Sequence, residues 1–203
     1  MQSKIRAINP SGDEEDVKST VGGAVYSADL ARIWTAKGYG WQAMATTAVA
    51  SLIVRPAELS IFTFYNNTAK NFVVERVFTH NLISIVDGNF SIWICVHPIG
   101  MTIPGDNDIT IRNNLNGNYT AGTEGVFDIE EAVTDDGWYP WGPFATTIDV
   151  TVPGTVQEAK INGRIVLPPK AGISVSAVAQ TAVVTQCMGL TYYSVPKTEY
   201  TLA

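Results

Sequence analysis

Two histidines, His80 and His97, and two cysteines, Cys95 and Cys187, are all the imidazole and thiol groups this 203-residue chain has for metal or nucleophilic chemistry. Cys95 and His97 lie two residues apart in the apolar run SIWICVH, a spacing that puts both on one face of a strand. A metal site on that pair needs a carboxylate or a second thiolate from elsewhere. Two ligands at i, i+2 with no second pair are a weak signal, so neither a metal nor a cofactor is expected. Hydrolysis by a serine nucleophile needs a hydroxyl beside an activating base. The chain has no G-x-S-x-G and neither histidine has a suggestive neighbour. The Gly38-Tyr39-Gly40 pair is too short for a dinucleotide fingerprint, and there is no P-loop. No catalytic residue is expected and the chain reads as a non-enzyme. Both cysteines sit in strand-like runs and read as buried, inert thiols; a cross-sheet disulfide is not expected in a reducing compartment.

Carboxylates and aromatics offer weaker possibilities. Asp128, Glu130, Glu131, Asp135 and Asp136 form a cluster, with Asp128 and Glu130 on one strand face. Two carboxylates suffice for a glycosidase, but a solvated edge and loop is the ordinary reading. Asp106 and Asp108, flanking Asn107 after Gly105, could offer hard oxygens to Ca²⁺ without the full EF-hand pattern. The run Asp13, Glu14, Glu15, Asp16 is either a solvated, mobile segment or part of an arm that orders on a neighbouring subunit. Trp138, Tyr139, Trp141 and Phe144 fall within seven positions stiffened by Pro140 and Pro143. Such a loop could be a carbohydrate-stacking platform, a subunit interface or a cap on the core. These four and the acidic run are the candidate interface residues. Three glycosylation sequons, at Asn66, Asn89 and Asn118, are what chance supplies in a chain this rich in Asn, Ser and Thr.

Composition narrows the partners. Charged residues make up 16% of the chain against 46% hydrophobic, which suggests that part of the surface is covered in an assembly. The net charge of -6 argues against nucleic acid, whose phosphates need a basic footprint. No apolar run reaches the ~18 residues of a membrane helix. The N-terminal segment lacks the apolar stretch of a signal peptide, so no membrane is expected and folding in a cytoplasm is.

The elements that must position these residues are mostly strands. Residues 1–49 read as an arm with one short helix: Ser27 caps it, Leu30, Ile33 and Trp34 share a face, and Gly38 and Gly40 end it. Thr46–Val54 favours strand. From about residue 50 to 203, short β runs alternate with Gly, Pro and Asn turns. They are Leu59–Tyr65, Phe72–Val86, Phe90–His97, Val126–Val133, Thr146–Val152, Ile161–Leu167, Ile173–Val184 and Gln186–Val195. Asp87-Gly88 is a hairpin signal, so Phe72–Val86 and Phe90–His97 are expected to pair antiparallel. In GRIVLPPKAGISVSAVA, Pro168-Pro169 stops one strand and Ile173, Val175 and Ala177 alternate in the next. The expected fold is an all-β, antiparallel jelly-roll-like sandwich with an N-terminal arm.

Four segments then combine. YSADLARIWTAKGYGWQAMATTAVASLIVRP at Tyr26–Pro56, WICVHPIGMT at Trp93–Thr102, DDGWYPWG at Asp135–Gly142 and GRIVLPPKAGISV at Gly163–Val175 resemble structural proteins of tailed bacteriophages. The resemblance is to capsid-associated jelly-roll proteins of the decoration, or cement, kind. It covers most of the chain from about Tyr26 and includes no catalytic signature. It implies a homotrimer on the outside of the virion capsid that clamps adjacent major capsid protein subunits, assembled in the host cytoplasm. A neck, tail or fibre component of the same particle, or a carbohydrate-binding attachment module, are the competing expectations.

Overall fold

The structure is a computed structural model that describes residues 6–8, 14–16, 30–45, 47, 49–57, 62–83, 89–105, 109–117, 124–129, 133, 135–141, 145–146, 156–180 and 184–197. In chain order the elements are β1 (Arg6–Ile8), β2 (Glu14–Asp16), α1 (Leu30–Ala36), β3 (Gly40–Met44), β4 (Val49–Ala50), β5 (Phe62–Tyr65), β6 (Asn71–Ile83) and β7 (Asn89–His97). Then come β8 (Ile111–Asn113), β9 (Val126–Ile129), β10 (Tyr139–Pro140), β11 (Ala145–Thr146), β12 (Val156–Leu167), β13 (Gly172–Ala179) and β14 (Thr185–Val195).

Two antiparallel sheets face each other. One runs β12-β6-β14-β3-β8, with β4 also on β14; the other runs β10-β7-β13-β5-β9, with β11 also on β7. The strands β3-β14-β6-β12 and β5-β13-β7-β10 follow jelly-roll order: among these eight the chain changes sheet at each step except from β7 to β10. The all-β sandwich expected from the turn spacing is the fold observed.

That same topology overturns the expected hairpin. Phe72–Val86 and Phe90–His97 do not pair: β6 lies between β12 and β14, and β7 lies between β13 and β10 in the opposite sheet. Long strands take both edges of β6, and β7 has the long β13 on one edge and the short β10 and β11 on the other; these non-local pairings outweigh a local turn preference at Asp87-Gly88. The start of the sandwich also moves. Gly40–Met44 pairs with β14 along Gly189–Tyr193, so sheet residues begin before the expected boundary at 50. Among the described residues of Thr46–Val54, only Val49–Ala50 joins the β14 sheet; Leu52 crosses to bridge Val178 in the other.

The core lies between the sheets. Phe62, Phe64, Phe72 and Phe127 are fully buried with Tyr192, and the Phe64 and Phe127 rings stack at 4.1 Å. Burying each such ring stabilises the fold by about 1.5–3 kcal/mol. Inward residues on β6 switch from Phe72 and Val74 to Val77 because Glu75 is skipped in the ladder to β14. On β12 the matching irregularity falls at Asn162 and Gly163, both at positive φ. Buried Asn66 ties the β5–β6 turn to β12, its amide donating to the carbonyls of Lys70 (2.8 Å) and Leu167 (2.9 Å).

Both outer faces are partly covered. The helix forms where expected and closes with Gly38 at φ 87°. It lays Trp34 on Val73, Tyr193 and Val195, on the outside of the first sheet. On the second sheet, Ile173, Val175 and Ala177 of β13 face the core, while Ser174 and Ser176 alternate with them on the other side and are also fully buried. Asp135, just before β10, lies over Ser174's side of that sheet, against His97.

Candidate functional site

Four polar side chains meet on the outer face of the second sheet. Cys95 and His97 come from β7, where Ile92 and Ile94 face the core. Ser174 comes from β13, in register with Cys95 on one side and with Thr63 of β5 on the other. Asp135 reaches in from the covering segment before β10. His97 Nδ1 lies 2.8 Å from Asp135 Oδ2 and Nε2 lies 2.7 Å from Ser174 Oγ. Ser174 Oγ is 3.1 Å from Thr63 Oγ1, and Cys95 Sγ is 3.8 Å from His97 Nδ1.

The covering segment is held from several sides. Gly137 N–H donates to Asp135 Oδ1 at 2.8 Å and Asp135 N–H donates to the Ala57 carbonyl at 3.1 Å. Arg55 donates to the carbonyls of Asp136 and Trp138, the latter at 3.1 Å. Trp138 itself turns inward, 3% exposed, and its indole N–H has no partner among the described residues.

These surroundings set the protonation states. Burial pushes the Cys95 thiol up to about 12, with the Asp135 charge and hydrogen bond adding to it and Gly137 N–H opposing. Burial alone would raise Asp135, but the Gly137 N–H and His97 outweigh it and hold the carboxyl below its ordinary value. Burial, then the neighbouring Cys95, raises Tyr139. Both cysteines are buried thiols, as expected, and burial also raises Cys187.

Two chemistries can be read from the cluster. Asp135, His97 and Ser174 have the order of a serine nucleophile and its base, so His97 does have the partners that its sequence neighbours do not suggest. Ser174 is nevertheless 0% exposed and His97 2%, with Thr63 on the hydroxyl's other side. A substrate carbonyl has no approach to that oxygen in this conformation. The second reading is metal ligation: Cys95, His97 and Asp135 each offer a ligand atom, all within 4.8 Å of one another. The i, i+2 pair on β7 thus gains the carboxylate it needed. Neither Asp135 as the third ligand nor Ser174 as the partner of His97 Nε2 is readable from the sequence, because they are 38 and 77 residues from His97. The polar positions in the alternating β13 run were the only local sign.

The other candidates disperse. Asp128 is buried rather than solvated, Asp136 is exposed, and Glu130 and Glu131 lie outside the described residues, as do Asp106 and Asp108. Glu14–Asp16 form β2, which pairs antiparallel with β1 in a two-stranded sheet. Asp13 lies outside the described residues. In the aromatic loop, Tyr139 stays 39% exposed, its ring 5.5 Å from that of half-buried Trp141, over which Arg164 sits at 5.9 Å. Phe144 lies outside the described residues. The loop is therefore divided: Trp138 is buried, Trp141 packs partly buried against the core, and Tyr139 stays at the surface. Comparison of the chain with protein-family models, curated proteins and solved structures finds no match.

Proposed function

We propose that the chain is a non-enzymatic structural protein of a tailed-bacteriophage particle: a homotrimeric decoration protein that bridges major capsid protein subunits on the outside of the head. The observation that carries this reading is the exposed apolar surface on a chain of low charge. Ile53, Val54, Ile99, Ile103, Leu115 and Val156 are all more than half exposed. Side chains of this kind are what a symmetric assembly covers. A jelly roll is also an architecture common in capsid proteins. Several modest contacts per trimer would add through effective concentration. Burial of Ser174 supports the non-enzymatic part.

The test is sedimentation of the purified chain alone and with empty heads, followed by imaging of decorated particles. Three times 21.9 kDa in solution, and density on shell threefold axes, are the expected results. A monomer that does not bind heads overturns the proposal, and density confined to the tail selects a neck, tail or fibre role. The exposed Tyr139 beside Trp141 favours one second reading, a carbohydrate-binding attachment module; glycan binding lost in Tyr139→Ala would select it.

A further inference from the structure

We propose that Cys95, His97 and Asp135 form a binding site for one divalent, borderline-soft cation, with Zn²⁺ as the best-fitting ion. The donor set is one sulfur, one imidazole nitrogen and one carboxylate oxygen. That combination suits Zn²⁺ and its neighbours and disfavours Ca²⁺ and Mg²⁺, which take oxygen ligands. Charge argues the same way. A thiolate, a carboxylate and a neutral imidazole cancel a 2+ ion, which a site this buried requires.

The spacing is close to what the ion needs. Tetrahedral Zn²⁺ with bonds of about 2.0–2.3 Å places S and N about 3.6 Å apart and N and O about 3.3 Å apart. Sγ and Nδ1 are 3.8 Å apart and Nδ1 and Oδ2 are 2.8 Å apart. Cys95 and His97 are fixed on a central strand and need not move. Asp135, 22% exposed on the covering segment, has to move about half an ångström from Nδ1 to open the N–O edge, and its carboxylate already lies within 4.8 Å of Sγ.

The supporting shell is also present. A metal-bound histidine characteristically donates its other N–H to a fixed acceptor, which sets the tautomer. Here Ser174 Oγ stands 2.7 Å from Nε2 and can direct its own hydrogen to Thr63 Oγ1 at 3.1 Å. Binding would place the imidazole proton on Nε2, free the Nδ1 lone pair for the ion and release the thiol proton to solvent. The ion would then pin the segment carrying Trp138 and Tyr139 to β7. This inference does not depend on the particle role proposed above.

The test uses the full chain, stripped with chelator and then titrated with Zn²⁺ and with Co²⁺. The expected results are one ion per chain, a melting temperature that rises with Zn²⁺ concentration, and a thiolate-to-cobalt charge-transfer band. Cys95→Ser should abolish the band, and Cys187→Ser should leave it intact. Ser174→Ala, which removes no ligand, should weaken Zn²⁺ binding by about 10-fold or more. If Cys95→Ser does not fold, Asp135→Asn at its partly exposed position decides, with the same loss of affinity expected. Absence of Zn²⁺ binding at micromolar concentration overturns the proposal. So does a cobalt spectrum without a sulfur band, or affinity unchanged in Asp135→Asn.

Discussion

His97 and Ser174 are diagonal neighbours on adjacent strands, and their side chains meet at 2.7 Å on the outer face of the sheet. The pair joins β7 to β13 where neither side chain reaches water. Removing Ser174 leaves His97 Nε2 without this partner, and removing His97 leaves Ser174 with Thr63 alone, each at a cost of about 1–3 kcal/mol. His97→Ala and Ser174→Ala should each lower stability by that order in urea unfolding. Combined in a double-mutant cycle, they should couple by about 0.5–3 kcal/mol. Additive effects would show that the contact carries no energy.

Cys95 should be chemically silent in the native protein. With its thiol pushed up to about 12, the thiolate fraction at pH 8 is about one in ten thousand, and the thiolate is the reactive form. Cys187 is raised by burial as well. A colorimetric thiol reagent should therefore detect neither cysteine in metal-free native protein and both in urea. Rapid native labelling of Cys95 would refute the burial argument.

Asp135 should steepen the acid limb of stability. Its folded pKa lies below its ordinary 3.8, so the folded state favours the carboxylate. The stabilisation is present above 3.8 and is lost as pH falls through the lowered value. In metal-free protein, Asp135→Asn should flatten the dependence of unfolding free energy on pH below about 5 and leave the slope near neutrality unchanged. An unaltered acid limb would count against the His97 and Gly137 contacts.

Gly172 should not tolerate a side chain. A Cβ there would stand 2.6 Å from the Phe64 carbonyl oxygen and 2.2 Å from Met101 Sδ. The methionine can move, but the β5 backbone cannot without breaking its ladder. Gly172→Ala should destabilise by about 1–3 kcal/mol. Gly105→Ala, with nothing within 4 Å of the new Cβ, should change the unfolding midpoint little.

The exposed Tyr139 should matter to assembly more than to folding. Tyr139→Ala exposes no buried polar group and should shift stability by about 0.5 kcal/mol or less. Under the proposed trimeric role it should raise the dissociation constant measured by sedimentation equilibrium. An unchanged constant would place the interface elsewhere.

How much was legible from the residues depends on the range of the interaction. The alternation of Ile173, Val175 and Ala177, the stop at Pro168-Pro169 and the Leu30–Ala36 helix with its Gly38 terminus are local. Period, missing N–H groups and allowed φ are enough to determine them. The sharing of a face by Cys95 and His97 was equally readable, because a strand's two-residue period requires it. Strand partners were not readable. Asp87-Gly88 favours a turn, but β6 had already been claimed by β12 and β14, whose pairing is settled by apolar area buried far along the chain. The outer face was not readable either. Ser174 and Ser176 alternate as a solvated face would, and only the tertiary structure brings Asp135 over Ser174's side of the sheet. That burial joins Asp135, His97, Cys95 and Ser174 into one site. Hydrogen bonds and metal ligation act over about 3 Å in space, and nothing in a linear chain records which residues separated by 38 or 77 positions will come that close.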